Sequence, residues 1–446
     1  MTTKWRIGRE VVCCRKSRLA PFLLPLLTVL IWSNTSSAQG IPPGSPNTGD
    51  FMEHEIDRPH AFGDWGGVRP KLTNEGVTFD FHYLADLLTN VSGKQQEYYK
   101  GWDRFRGTVD VDFGKLKGWQ GLTLHATAVW QFGGNLGTSL GTIANPSGFA
   151  SKHTTRLDSL WLQQALLGGK LFLKVGQFGA QDFYGVQQYG ASFLGEPVLY
   201  APGNLFENVF ESADPASTPA AEIRFVPNPH VYVKAAITSA NRDPFVQDPT
   251  GLHFAIRNNG TGVYETGFLT HPPGSKNAAG KKSYPGLYRL GGSYNGGLFM
   301  NPATRVTSHG NYVIYAMANQ ALYRERAGSE QGLDAFVTVD YSPGDVSRVN
   351  TETTLGTRYF GLLPHRERDS LGVSLIYSKI SDTFNLAYLD SGLPVLGSEK
   401  VLEINYKIRI APWWYVQPGY QHYWSIGANP QAGNTNILGF RTKVTF

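Results

Sequence analysis

Arg104, Arg106, Asp110 and Asp112 stand at even spacing, offset by one from Val109, Val111 and Phe113. A period of two puts the charged set on one face of a β-strand and the apolar set on the other. Such a face carries both charge signs and could orient hydroxyl groups through charge-assisted hydrogen bonds. It could equally be a salt-bridge ladder that only stiffens a wall, and the two roles are compatible. Glu222 and Arg224 alternate with Ala221, Ile223 and Phe225 and make a second pair of this kind. Trp161 shares parity with Ser159 and Gln163 and opposes Leu160 and Leu162, so its indole should point with the polar set. There it is either a platform for the apolar side of a ring or, with more weight, filler beneath an inward-folded loop. Asp80 and His82 belong to the same kind of face. A lone histidine is more often a hydrogen-bonded wall residue than a metal ligand.

None of these sets implies bond-making chemistry. His54, Glu55 and His60 lack the zinc-protease spacing, with Pro59 between them, and no Gly-x-Ser-x-Gly elbow occurs. Gly274 to Lys281 imitates a phosphate-binding loop, but it has five intervening residues and Lys282 occupies the Ser/Thr position. The reading is therefore of a binding surface without cofactor, metal or catalytic group.

Two-faced strands recur along the chain. Val77, Phe79, Phe81 and Tyr83 alternate with Thr78, Asp80 and His82, with Leu84 an apolar intruder on the polar face. Leu122, Leu124, Ala126, Ala128 and Trp130 alternate with Thr123, His125, Thr127 and Gln131. Leu402, Ile404, Tyr406, Ile408 and Ile410 alternate with Glu403, Asn405, Lys407 and Arg409. The last residues do the same: Leu438, Phe440, Val444 and the terminal Phe446 against Ile437, Gly439, Arg441, Lys443 and Thr445. Gly, Asn and Pro clusters punctuate these segments.

Alternation alone does not choose between a soluble sandwich and a membrane barrel. Three features favour the barrel. Lys4, Arg6, Arg9, Arg15, Lys16 and Arg18 precede a 14-residue uncharged run, Leu19 to Trp32, followed by Ser36-Ser37-Ala38. This reads as a cleaved secretory leader over residues 1–38, too short and Pro-broken to span a bilayer. Aromatic residues make up 13% of the chain, and pairs such as Trp413-Trp414-Tyr415 and Tyr420 to Trp424 suit interfacial girdles. A strand ending on phenylalanine resembles the terminal strand of outer-membrane barrels. No long apolar segment follows the leader, which excludes a helical membrane protein. Removing six of 40 basic and one of 35 acidic residues with the leader leaves 34 of each, so no nucleic-acid footprint remains. Cys13 and Cys14 leave with it too, and no disulfide framework is expected. Residues 39–61 read as an irregular periplasmic arm and 62–446 as the barrel.

Further blocks carry a family resemblance. Phe62-Gly63-Asp64-Trp65-Gly66-Gly67-Val68-Arg69 with Leu72 and Gly76 is one, and Leu160-Trp161-Leu162-Gln163-Gln164 another. Gly310-Asn311-Tyr312 with Tyr315, Gln331 to Phe336, and Gly356 to Leu362 with Arg366 and Asp369 follow in order. Gln417-Pro418 and Gly439-Phe440-Arg441 close the series. Together they resemble the OprB-like carbohydrate-selective porins; His365 departs from the pattern where a glycine is expected. The resemblance implies an all-β, transmembrane antiparallel β-barrel of the bacterial outer membrane, most simply of 16 strands although 18 would also fit. It implies passive diffusion of monosaccharides and similar small sugars through a narrowed lumen, with weak, releasable binding. Lipid and the barrel-assembly machinery, the latter through Phe446, would be the other partners, and the oligomeric state stays open. A general diffusion porin is the nearest alternative, ahead of a hydrolase carried on a barrel and a plugged structural barrel.

Overall fold

A computed structural model describes residues 60–93, 98–240, 244–254, 256, 260–271 and 283–446. The expected leader, the expected arm up to Pro59 and the Gly274 to Lys281 run lie outside the described residues. The strands are β1 (Val77–Ser92), β2 (Tyr99–Asp112), β3 (Leu122–Gly133), β4 (Thr154–Leu166), β5 (Leu171–Phe178) and β6 (Thr218–Asn228). Then come β7 (Val231–Thr238), β8 (Thr261–Leu269), β9 (Gly286–Met300), β10 (Thr307–Arg324) and β11 (Gly332–Tyr341). Finally there are β12 (Val349–Phe360), β13 (Ser370–Ile380), β14 (Ser398–Ala411), β15 (Trp414–Trp424) and β16 (Thr435–Thr445).

Each strand pairs antiparallel with its chain neighbours, and β1 pairs with β16, so 16 strands form one closed barrel. Closure leaves no open row of N–H and C=O groups, which is what lets a sheet survive in hydrocarbon. At the seam Asp86 stands opposite Arg441, and the guanidinium donates to both its oxygens at 2.7 Å. Among the described residues no helix is long and apolar enough to cross a membrane.

Side chains divide by parity. On β16, Ile437, Arg441, Lys443 and Thr445 are buried inside while Leu438 and Phe440 face outward. Val175, Ile237 and Leu290 are 61%, 69% and 59% exposed on the outer surface. Such a belt is ruinous in water and natural against lipid, at about 25 cal/mol per Å² of apolar area. The girdle expectation needs one correction: Tyr415 and Tyr423 point inward and are buried, because they share parity with Gln417 and Gln421.

The amino-terminal signature clasps the carboxyl end. The Phe62 ring stacks on Phe446 at 5.0 Å, and Arg69 donates to the backbone oxygens of Phe446 (2.8 Å) and Phe79 (3.0 Å). Arg69 also lies 4.2 Å over the Trp65 ring. Connections at this end include the tight turns 167–170, 229–230 and 412–413, whereas 134–153 and 179–217 lie at the other end. Short periplasmic turns and long outer loops are the usual polarity of such barrels. Segments 134–153 and 179–217 fold into the lumen. Tyr189, Phe193 and Val198 pack with Leu136, Leu140, Phe336 and Ile376 into a core inside the barrel.

Candidate functional site

A loop inside a barrel takes backbone groups away from water, and each must find a partner. The inward polar parity of the strands supplies them. Glu403 accepts the N–H groups of Leu194 (2.7 Å) and Gly195 (2.9 Å), Glu265 that of Gly185 (2.7 Å), and Glu352 that of Gly203 (3.0 Å). Glu399 does the same for Ala144 (2.7 Å) in the other inward segment. Lys407 donates to the Ala191 carbonyl (3.0 Å), Arg441 to that of Phe193 (3.1 Å), and Lys234 to that of Phe183 (2.5 Å). Charge-assisted bonds of this kind are roughly twice as strong as neutral ones. Wall carboxylates hold loop amides and wall cations hold loop carbonyls.

Between the wall of β1–β4, the edge of β15–β16 and these loops lies a cavity of about 100 Å³. Arg104 and Arg106 of β2 line it. Arg104 reaches both carboxylate oxygens of the loop residue Asp214 (2.6 and 2.5 Å), and Arg106 donates to one of them at 3.0 Å. Burial alone would raise the Asp214 carboxyl, but the charges of Arg104 and Arg106 outweigh it and hold the group below its ordinary range. Asp182, whose carboxylate accepts the Asp214 N–H at 3.4 Å, is driven well above the carboxylate range by burial and then by Asp214 and Asp158. The Tyr200 hydroxyl donates to Asp214 at 3.4 Å. The Phe149 ring carries the guanidinium of Arg441 at 4.4 Å and that of Arg104 at 5.5 Å.

The other sequence candidates fall in different places. His82 and Asp80 share a 2.9 Å hydrogen bond, and His82 lines the cavity. Asp110 meets His125 at 2.7 Å nearer the end that carries the termini, with its side chain 53% exposed. Asp112 is not part of this group: it caps the short helix Phe113–Lys117, accepting the Gly114 N–H at 2.9 Å. The strand ends there, so its side chain serves the turn. Trp161 points inward, as parity demands, with one face against His125 (4.8 Å, 13° between planes) and Phe183 edge-on at 6.3 Å. Its face is thus covered, and its buried indole N–H has no partner among the described residues. Gln163 is buried on the same face. Glu222 pairs with Lys174 at 3.4 Å and Arg224 lies 4.3 Å over Phe172, so both belong to the β5–β6 wall away from the cavity lining.

Sequence reading missed Asp214, Asp182, Tyr200 and Phe149, which sit on aperiodic segments. It also left out Arg441 and Lys443, whose inward parity was legible in the last strand and which line the same cavity. The relevant signal was the closure of the barrel, which brings β16 beside β1 and β2.

Comparison with known proteins agrees with this architecture. The sequence model of the "Carbohydrate-selective porin, OprB family" matches residues 99–446. A putative porin, QuiX, of Acinetobacter baylyi is 20% identical over 423 residues, covering 87% of this chain and 94% of that protein. The high-pH structure of Pseudomonas putida OprB superposes with a TM-score of 0.78 at 18% identity, over 86% of this chain and 97% of that one. The low-pH structure of the same protein gives 0.55 at 16% identity, over 87% and 98%. With its family match running from β2 to the terminal Phe446, this chain belongs to the OprB family of carbohydrate-selective porins of the outer membrane.

Proposed function

We propose that sugars cross this porin by passive, weakly saturable diffusion through the cavity beside Arg104, Arg106 and Asp214, the loop 179–217 setting its width. The observation that carries the reading is the lining itself. Arg106, with 15% of its side chain exposed, stands beside the Trp161 indole and the Tyr200 hydroxyl. Such a surface offers hydroxyl partners while excluding a bulk water column, and it holds a sugar loosely enough to release it. Export would proceed by cleavage after Ala38, and the barrel-assembly machinery would read the strand that ends at Phe446.

Liposome swelling with glucose, arabinose and an amino acid of similar size tests this. Wild type should pass sugars preferentially and with saturation. Arg106→Ala should speed the non-sugar solute and abolish sugar saturation. Trp161→Ala should weaken sugar block by about 1 kcal/mol, the usual worth of one hydrogen bond. If both variants keep wild-type preference, the two residues are wall and the selective step lies elsewhere.

A further inference from the structure

We infer that the solutes best matched to this channel are carboxylated sugars, aldonates and uronates, rather than neutral sugars alone. The inference rests on the cavity being the channel's narrow part, and it follows from strand register. Across β16, β1 and β2, Lys443, Leu84 and Arg104 stand in one row, since Leu84 pairs with both neighbours. In the next row His82 pairs with Arg106, Arg106 with Val129, and Val129 with Arg156. Two adjacent rows of one wall thus carry Lys443, Arg104, Arg106 and Arg156, with Arg441 one step further along β16; of these five all but Arg156 line the cavity.

Their counter-charges stand mostly behind or beside them. Asp86 takes Arg441 and is buried, and Asp158, 3.9 Å from Arg106, is fully buried and outside the lining. Asp214 does line the cavity, but both Arg104 and Arg106 donate to it. Asp182, the other carboxyl in the lining, is displaced upward toward its neutral form by burial. Toward the end that carries the termini, Asp80 and Asp110 are each hydrogen-bonded to a histidine. The wall therefore turns cationic heads toward the solute.

Arg156 adds positive charge behind this lining, beside the Phe245 ring at 5.6 Å. It is 3% exposed, and none of its three guanidinium nitrogens has a hydrogen-bond partner among the described residues. Its neighbours Asp158 and Asp248 act on it through space and do not bond to it. The guanidinium groups in the lining itself suit a carboxylate, which accepts two parallel N–H bonds. Rings of Arg and Lys select anions in pores for the same reason.

The zero-current potential of the pore in planar bilayers under a potassium gluconate gradient, run beside glucose swelling, tests this. Gluconate should outrun potassium by roughly tenfold, the low end of the range over which a cleft of one charge sign concentrates its counter-ions. Arg156→Gln and Lys443→Gln, each removing one cation from the rows, should each move that ratio toward unity. Glucose should compete with the gluconate current, since both use one cavity. Passage of glucose with potassium outrunning gluconate would overturn the inference and leave the carbohydrate channel standing. Passage of neither solute would overturn both. Unchanged ratios in both variants, with wild-type glucose swelling, would show that these cations do not set selectivity.

Discussion

His365 shows what a single departure from pattern means physically. Its φ is +63°, in the left-handed region where a β-carbon crowds the backbone. The turn around it is fixed by Arg366, which donates to both oxygens of Asp369 at 2.7 and 2.9 Å, and by the Gly361 N–H bonded to the Asp369 carbonyl at 2.8 Å. Histidine is therefore held where glycine would rest freely. His365→Gly should raise stability by about 0.5–1 kcal/mol, the relief of strain being partly offset by the greater freedom of glycine in the unfolded chain. The temperature midpoint of the heat-modified gel shift measures it, and a lower midpoint would show that the imidazole makes a stabilising contact.

At the scale of the element, the loop 179–217 is held by charges of both kinds. Asp214→Asn leaves Arg104 buried without its carboxylate, a loss of roughly 3 kcal/mol in comparable pairs. The loop should lift there, raising single-channel conductance and weakening sugar block. Conductance and block equal to wild type would mean that the other anchors suffice. Two loop carboxyls give opposite pH signs. Burial pushes Glu211 up from 4.5 to about 7, against hydrogen bonds from Ser293 and Thr238, so docking gains stability as pH falls through that window. Asp214 is held below its ordinary 3.8, so its contribution is present above that value and is lost on further acidification through its own lower one. Thermal stability should thus rise from pH 8 to about 5 and fall only once the pH drops below 3.8. Glu211→Gln should reduce the rise, the remainder coming from Asp182 and Glu196, which burial also pushes up, and leave the acid loss. A rise undiminished in that variant would assign it wholly to those groups.

For the whole molecule, the test is which way the two faces point. Asp110→Cys should react with a water-soluble maleimide in membranes, because its side chain is half exposed in the lumen, while Ile237→Cys on the outer belt should be shielded. The reverse would turn the barrel inside out. Asn405 faces the lumen as its alternation with Ile404 requires, yet it is only 2% exposed beneath the loop, bonded to Gln417 and Glu403, so labelling there would be slow. Deleting Phe446 should lower the yield of assembled barrel. It removes the ring that Phe62 stacks on and the residue whose N–H bonds the Phe81 carbonyl at 2.7 Å. An unchanged yield would mean that neither the clasp nor the recognition end matters.

The period of two was written into the chain, and with it the facing of Arg104, Trp161, Glu403 and Lys443, because neighbouring β-carbons must point to opposite sides of a strand. The signature from Phe62 to Arg69 was equally legible, though not its purpose of gripping the carboxyl end. The partners of the inward charges were not legible. A strand's parity says that Arg104 faces the lumen, but its carboxylate comes from a loop 110 positions later. The fold of that loop follows no local period: it is dictated by where 16 strands place their carboxylates and cations around one closed space. Lys443 and Arg104 share a row only because the last strand closes on the first, a long-range pairing that local sequence does not encode. The faces came from local chemistry, and the barrel's enclosed space came from closure.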